Sequence, residues 1–159
     1  MRIFFLLIFF TQLSVYSQNP TIESFTEGFQ KKNGFIDYYW DDDKGRLYIE
    51  VKELEKEFLY VNYLSAGVGS NDIGLDRGQI GGTRIIKFVK KGPKVLMVQP
   101  NYKYRAVSYN NEEVKSVSDA FAKSTIWGFK VVASSNQSIL IDATEFILRD
   151  SHMSSARLI

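Results

Sequence analysis

The spacing of apolar and polar residues predicts that most of the chain folds into β-hairpins. Several short segments alternate with the two-residue period of a half-buried strand, and clusters of Gly, Asp, Asn and Ser separate them. Gly45 ends an acidic turn at 41–45 and is free to take the positive φ that a tight hairpin needs. Strands are predicted at 35–40, 46–51, 57–64, 83–89, 94–99, 101–108, 127–132 and 138–141.

Three segments depart from this period and predict short helices. A lead-in segment at 18–34 places apolar residues at near-helical spacing. Asn110 or Asn111 is positioned to cap a helix that has two glutamates in its first turn. Residues 142–145 have the pattern of a capping box that opens a final helix. The expected fold class is therefore α+β: mainly an antiparallel β-sheet built from hairpins, with two or three short helices.

The N-terminus, residues 1–17, has the pattern of a cleavable secretory signal peptide. Arg2 supplies a positive start, an unbroken apolar run follows at 3–10, and Ser17 is a small residue suited to signal-peptidase cleavage. The alternative is a buried N-terminal strand. The run is too short for a permanent anchor, no Cys follows it to carry a lipid, and no second stretch approaches the ~20 apolar residues of a spanning helix. The mature chain is expected to begin at Gln18 and to be exported, either to the periplasm or outside the cell.

Amino-acid composition limits the classes of binding partner and the kinds of chemistry that are expected. Loss of Arg2 with the signal leaves 19 of the 20 basic residues against 18 acidic ones, so no net field favours nucleic acid or anionic lipid. The chain has no Cys, which excludes disulfides and thiolate chemistry. We therefore expect no nucleic-acid partner and no transmembrane anchor.

A glycine-rich segment at 65–82 is the most unusual part of the sequence, because it holds six of the eleven glycines. A phosphate-binding loop is excluded, since no Lys-Ser or Lys-Thr pair follows a glycine at the required offset. The remaining interpretations are a calcium loop, whose residue spacing departs from the helix–loop–helix pattern, and a structural loop. We expect an ordered loop with apolar anchors at Ile73, Leu75 and Ile80, which is fixed by an ion pair of Asp72 or Asp76 with Arg77 or another base. This pair would serve either the fold or docking to another domain. The possible loop or docking residues are Asn71, Asp72, Asp76, Arg77 and Gln79.

Elsewhere the sequence offers no catalytic constellation and no set of metal ligands. The acidic run at 41–43 is either a weak cation site or an ordinary solvated turn. His152 is the one histidine of the chain, whereas a catalytic zinc needs about three protein ligands. Adjacency of Asp150, Ser151 and His152 does not make a triad, because neighbouring side chains diverge. No catalytic residue, no metal ligand and no cofactor are predicted within this chain.

Several motifs together resemble a known protein family. They include Gly34-Phe35, Phe58-Leu59-Tyr60-Val61, Gly92-Pro93-Lys94, Trp127-Gly128-Phe129 and, most specifically, Ser-Asn-Asp-Ile-Gly-Leu-Asp-Arg-Gly at 70–78. Over nearly all of 30–159 the chain resembles the N-terminal domain, of uncharacterised function, of secreted zinc-dependent metalloproteases from Bacteroidota-type bacteria. In that family a downstream catalytic domain carries a His-Glu-x-x-His zinc motif, which is absent here.

The residue patterns predict a signal at 1–17, a lead-in at 18–34 and a β-rich N-terminal domain at 35–159. The resemblance implies that this domain continues into a catalytic domain. The alternative is a genuine C-terminus at Ile159. The resemblance also implies that the partner is the chain's own catalytic domain, which would hold the zinc and cleave the peptide substrate. This chain alone is expected to be inactive as a peptidase.

Two functions therefore remain open. In the first, the chain is the non-catalytic N-terminal domain of an exported zinc-dependent metalloprotease and packs against or shapes the catalytic domain. In the second, it is a stand-alone β-rich envelope module that binds peptide or glycan. That module would use exposed aromatic residues such as Tyr38, Trp40 and Tyr48.

Overall fold

A computed structural model describes residues 19–67 and 72–152, so the predicted signal and its cleavage site lie outside the described residues. The described chain forms three short helices and eight strands. Their order is α1 (Ile22–Phe25), β1 (Gln30–Lys32), β2 (Asp37–Asp41), β3 (Arg46–Val51), β4 (Glu57–Tyr63), β5 (Ile80–Lys91), β6 (Lys94–Gln99), α2 (Asn111–Ala120), β7 (Ser124–Ser134), β8 (Ile139–Asp142) and α3 (Thr144–Leu148).

All eight strands belong to one antiparallel sheet with the order β1-β2-β3-β8-β7-β6-β5-β4. Tight hairpins join β2 to β3, β5 to β6 and β7 to β8, as the alternation predicts. Pairing of β3 with β8 places the N-terminal hairpin beside the last strand. The prediction of a mainly antiparallel sheet with short helices is confirmed, and β1 and β4 are the two edges of that sheet.

One face of the sheet carries the main hydrophobic core, because alternate residues of β3 and β5 to β8 point to the same side. Phe146 of α3 covers this face, with its ring centroid 5.2 Å from that of Phe129 and 5.7 Å from that of Trp127. The last helix therefore closes the core. The residues of this core with less than 2% exposure are Ile86, Val95, Phe129, Ile141 and Ala143.

The opposite face of β2, β3 and β8 has a smaller core beneath α1. Phe25 meets the ring of Tyr48 edge-on at 5.3 Å, and Phe29 stacks on the same ring at 5.6 Å. Tyr48 is only 3% exposed. The prediction that Tyr48 belongs to an exposed binding face is therefore wrong, since the lead-in segment folds back over this side of the sheet.

Three local predictions also differ from the structure. Residues 101–108 form no strand, because Asn101 Oδ1 accepts hydrogen bonds from the backbone N–H groups of Lys103 (3.1 Å) and Tyr104 (3.2 Å) and turns the chain. The final helix ends at Leu148, since Arg149 has an extended conformation with φ −66° and ψ 148°. The lead-in contains a helix of only four residues, followed by β1.

The two capping predictions have different outcomes. Asn110 is confirmed as the cap of α2, with its side-chain oxygen accepting from the backbone N–H of Glu112 at 3.0 Å. The capping box at 142–145 does not form, because Ala143 occupies the cap position and its methyl side chain cannot accept a hydrogen bond from a backbone N–H. Instead, Asp142 Oδ1 accepts from the backbone N–H of Thr144 at 3.0 Å.

Candidate interaction surface

The outer face of the sheet edge is unusually apolar. Along β4 the side chains of Leu59, Val61 and Tyr63 point away from the core, with Leu59 64% exposed and Tyr63 65% exposed. Leu59 lies opposite Ile85, and Tyr63 lies opposite Ile80, which is 63% exposed. Directly opposed residues of an antiparallel pair share a face. These five residues therefore form one exposed apolar surface, called here the β4–β5 face.

The two edge strands of the sheet, β1 and β4, differ in length and in charge. β1 is three residues long and carries Lys31 and Lys32, the kind of short, charged edge that discourages strand pairing. β4 is seven residues long, and Glu57 at its start is its one charged residue. Long apolar edges and contiguous apolar patches mark interaction sites in folded proteins. The β4 edge is therefore the better candidate for contact with another protein.

The glycine-rich loop lies at the end of this surface, because it joins β4 to β5. Backbone hydrogen bonds close its base: the N–H of Leu64 donates to Gln79 O (3.0 Å), and the N–H of Gly78 donates to Leu64 O (2.7 Å). Leu75 is 1% exposed and anchors the loop in the protein interior. The described part of the loop is therefore ordered by backbone pairing and one buried side chain.

Gly67 shows why this loop requires glycine. A Cβ at this position would lie 2.4 Å from Arg77 N, 2.7 Å from Asp76 C and 2.8 Å from Leu75 O. All three are backbone atoms, so no side-chain rotation relieves the contact. The chain at Gly67 therefore packs directly against the chain at 75–77, as expected for a loop whose glycines permit close approach.

The predicted docking residues occupy different environments. Asp72 and Arg77 are exposed, Asp76 and Gln79 are half-buried, and Asn71 lies outside the described residues. Within the described parts of the chain, neither Asp72 nor Asp76 forms an ion pair with Arg77 or with another base. The predicted pair is therefore wrong. Asp76 contributes through its backbone instead, because its carbonyl accepts from the N–H of Gln79 at 3.1 Å.

The predicted apolar anchors of the loop are correct in one case of three. Leu75 is buried, whereas Ile73 is 38% exposed and Ile80 is 63% exposed. Ile80 begins β5 and faces outward opposite Tyr63, so it extends the β4–β5 face rather than anchoring the loop.

Sequence reasoning identified β4 as a strand but missed its outer surface. The available signal was that β4 has apolar residues on both faces, with Phe58 and Tyr60 turned inward and Leu59 and Val61 turned outward. A half-buried strand ordinarily alternates apolar and polar residues. A strand that is apolar on both sides at a sheet edge therefore indicates a second contact surface.

Charged groups near the N-terminal hairpin form contacts that stabilise the local structure. Lys52 Nζ lies 2.6 Å from Asp37 Oδ2, and this contact, together with the N–H of Gly34, lowers the pKa of the Asp37 carboxyl from its usual value. Asp41 is buried and accepts from the backbone N–H of Lys44 at 3.1 Å. The first acid of the run at 41–43 thus stabilises its own turn.

The described residues contain no group of three His, Cys, Asp or Glu side chains arranged to hold a metal ion. His152 has Ser151 Oγ 3.3 Å from its Nδ1, and Asp150 precedes them. Within the same described residues, none of the helices has the length and apolar character needed to cross a bilayer.

The chain was compared with protein families, curated proteins and solved structures. No curated protein and no solved structure gives a significant match. Residues 78–158 match a family described as a domain of unknown function, DUF5117. That region contains β5 to β8, α2 and α3, and therefore most of the main core. Because the match covers half of the chain, the protein belongs to the DUF5117 family.

Proposed function

We propose that this chain is the non-catalytic N-terminal domain of an exported zinc-dependent metalloprotease and that it docks the catalytic domain through the β4–β5 face. The observation that carries the proposal is the exposed apolar surface at the sheet edge, formed by Leu59, Val61, Tyr63, Ile80 and Ile85. The resemblance of 30–159 to the N-terminal domain of such proteases supports a catalytic domain as the partner. The described residues of its most specific motif, 72–78, lie in the loop beside this surface.

The surface is suited to a stable contact within one polypeptide. Interfaces between domains that stay together need apolar area, since the gain comes from removing that area from water. The β4–β5 face supplies this area on a rigid sheet, and the glycine loop adds polar side chains at its end. Arg77 and Asp72 are exposed there and are available for hydrogen bonds across the interface.

In this proposal the chemistry belongs to the catalytic domain. A single histidine cannot supply the ligand set of a catalytic zinc, so the zinc and the His-Glu-x-x-His motif would lie in the partner domain. The present chain would brace that domain or shape its peptide-binding cleft, and peptide substrate would contact it only indirectly. Export follows from the signal predicted at 1–17.

The alternative, a stand-alone module that binds peptide or glycan through the N-terminal hairpin, loses one of its three proposed residues. Tyr48 is buried, and Trp40 is half-buried with its Nε1–H donating to Asp42 Oδ1 at 2.5 Å. Tyr38, at 40% exposure, is left as the accessible ring of that set. The β4–β5 face is the larger apolar surface.

The first test is the reading frame beyond Ile159, where a His-Glu-x-x-His sequence is expected. The second is binding of the purified chain to that catalytic domain, measured by calorimetry for wild type and for Leu59→Glu. Ile147→Glu is the matched control, because Ile147 is also about half exposed, at 54%, but lies in α3. Leu59→Glu should abolish binding and leave the melting temperature unchanged, whereas Ile147→Glu should leave both binding and melting temperature unchanged. Equal binding by both variants would refute the docking face.

A further inference from the structure

A second surface, which shares only Ile85 with the five residues of the β4–β5 face, is a groove of about 470 Å³. It lies where β5 begins and β6 ends, beneath the turn at 101–104 and the end of α2. Its aromatic walls are Tyr102, Tyr104 and Phe121, which are 46%, 47% and 42% exposed. Three large rings half exposed around one groove are unusual on a protein surface that has no partner.

The groove is held in shape by its own hydrogen bonds. Asn101 Nδ2 donates to the backbone carbonyl of Phe121 at 3.0 Å, while its Oδ1 accepts from the backbone N–H groups of Lys103 and Tyr104. This side chain therefore fastens the turn to the end of α2. As a result Tyr104 stacks on Phe121, with centroids 4.3 Å apart and planes 18° apart. A preformed aromatic wall binds a ligand without first ordering its side chains.

Two cations, Arg84 and Lys103, line the groove, and none of its lining residues is acidic. The nearby carboxylate of Glu57 accepts a hydrogen bond from the hydroxyl of Tyr102. Neither cation forms an ion pair with a carboxylate of the described residues. Arg84 Nη1 lies 3.5 Å from Gln99 Oε1, and Lys103 Nζ lies 5.4 Å from the ring centroid of Tyr104. A ligand anion paired with Lys103 would thus lie beside the aromatic wall.

We propose that this groove binds an anionic saccharide, a pyranose ring that carries a carboxylate or a sulfate. The C–H groups of a pyranose ring pack on the electron-rich face of an aromatic ring. Tyr104 and Phe121 cover one face of each other by stacking, and the outer faces of the pair supply that surface. The neutral hydrogen-bonding side chains of the groove suit sugar hydroxyls, and the two unpaired cations suit the acid group. These hydrogen-bonding side chains are Thr83, Gln99 and Ser124.

An acidic peptide is the competing class of ligand, because it would also be attracted to Arg84 and Lys103. The groove favours a sugar over such a peptide for a structural reason. A glutamate-rich peptide has no ring to place on the stacked pair of Tyr104 and Phe121, and its affinity would come from charge alone.

The test is calorimetric titration of the purified protein with four probes at low salt. The probes are a trimer of galacturonic acid, a sulfated heparin tetrasaccharide, the neutral trimer galactotriose, and hexaglutamate. Either acidic saccharide is expected to bind about tenfold or more tightly than galactotriose, the factor that one charge-assisted hydrogen bond supplies. It is also expected to bind about tenfold or more tightly than hexaglutamate, which has no ring to pack on Tyr104 and Phe121. A preference between the two acidic saccharides identifies the anion, and either preference supports the proposal.

Substitutions then locate the site. Lys103→Gln and Tyr104→Ala should each weaken binding of the better acidic saccharide by about tenfold. The matched controls are Lys130→Gln, an exposed lysine of β7, and Tyr109→Ala, a fully exposed tyrosine outside the groove, which should both bind like wild type. Melting curves verify that every variant is folded. Absence of binding by both acidic saccharides, equal or tighter binding of hexaglutamate, or equal effects of site and control variants would overturn the proposal.

Discussion

Replacement of Gly67 by alanine tests whether the glycine loop is packed as the structure shows. The new Cβ would lie 2.4 Å from Arg77 N, whereas an ordinary contact begins near 3.4 Å. One of the two backbone segments would have to move by about 1 Å, and the buried side chain of Leu75 resists that movement. Overpacking of this kind costs about 1–3 kcal/mol. For a domain of this size it should lower the melting temperature by about 3–12 °C.

Gly34→Ala is the matched control, because its Cβ would meet only Ile36 O at an ordinary 3.5 Å. This substitution should change the free energy of unfolding by no more than about 0.5 kcal/mol. Urea denaturation followed by circular dichroism gives both values. Equal stability of the Gly67 and Gly34 variants would refute the close packing of the loop.

Trypsin adds a local measurement, since Arg77 is the one basic residue between 65 and 83. If the loop of Gly67→Ala is displaced, cleavage after Arg77 should be faster than in wild type, because proteases cut segments that open locally. Gly34→Ala should be cleaved there at the wild-type rate. An unchanged rate in the Gly67 variant would show that the loop accommodates the methyl group without opening.

Three further predictions concern the cores and the ionisable groups. Phe129→Ala should lower the free energy of unfolding in urea by about 3–5 kcal/mol, because the ring is 1% exposed and packs on Phe88 and Phe146. Lys52 lowers the folded-state pKa of Asp37, so the ionised Asp37 carboxylate stabilises the fold fully above about pH 4, and this stabilisation is lost as the pH falls further. Asp37→Asn should therefore make the free energy of unfolding less dependent on pH on the acid side. Burial raises the pKa of Tyr48, so the neutral phenol stabilises the fold fully below about pH 10, and this stabilisation is lost at higher pH. Tyr48→Phe should therefore make the free energy of unfolding less dependent on pH on the alkaline side.

Local sequence signals predicted the hairpins because turn chemistry and strand alternation are encoded within a few residues. Gly45, with φ +60°, lies in the turn expected at 41–45, and Gly92, with φ +56°, lies between the strands predicted at 83–89 and 94–99. The Asn110 cap was also predictable, since the cap and its N–H partner are two residues apart. These features need no knowledge of the rest of the fold.

Features that depend on distant contacts were not predictable in the same way. Tyr48 alternates with its neighbours like an exposed aromatic, and only the return of α1 across the sheet buries it. The turn at 101–104 interrupts a segment whose residue pattern suits a strand, because one asparagine side chain binds two backbone N–H groups. Position on a sheet edge, which gives the β4–β5 face its significance, is likewise set by the topology.

Hydrogen–deuterium exchange of the chain with and without the zinc-containing catalytic domain is the most direct test of the docking face. The amide groups of β4 and of the loop at 72–80 should become protected in the complex, because β4 is an edge strand and the apolar face is buried there. The edge at β1 should exchange at the same rate in both samples. Protection confined to β1 and β2, or no protection anywhere, would contradict docking through the β4–β5 face.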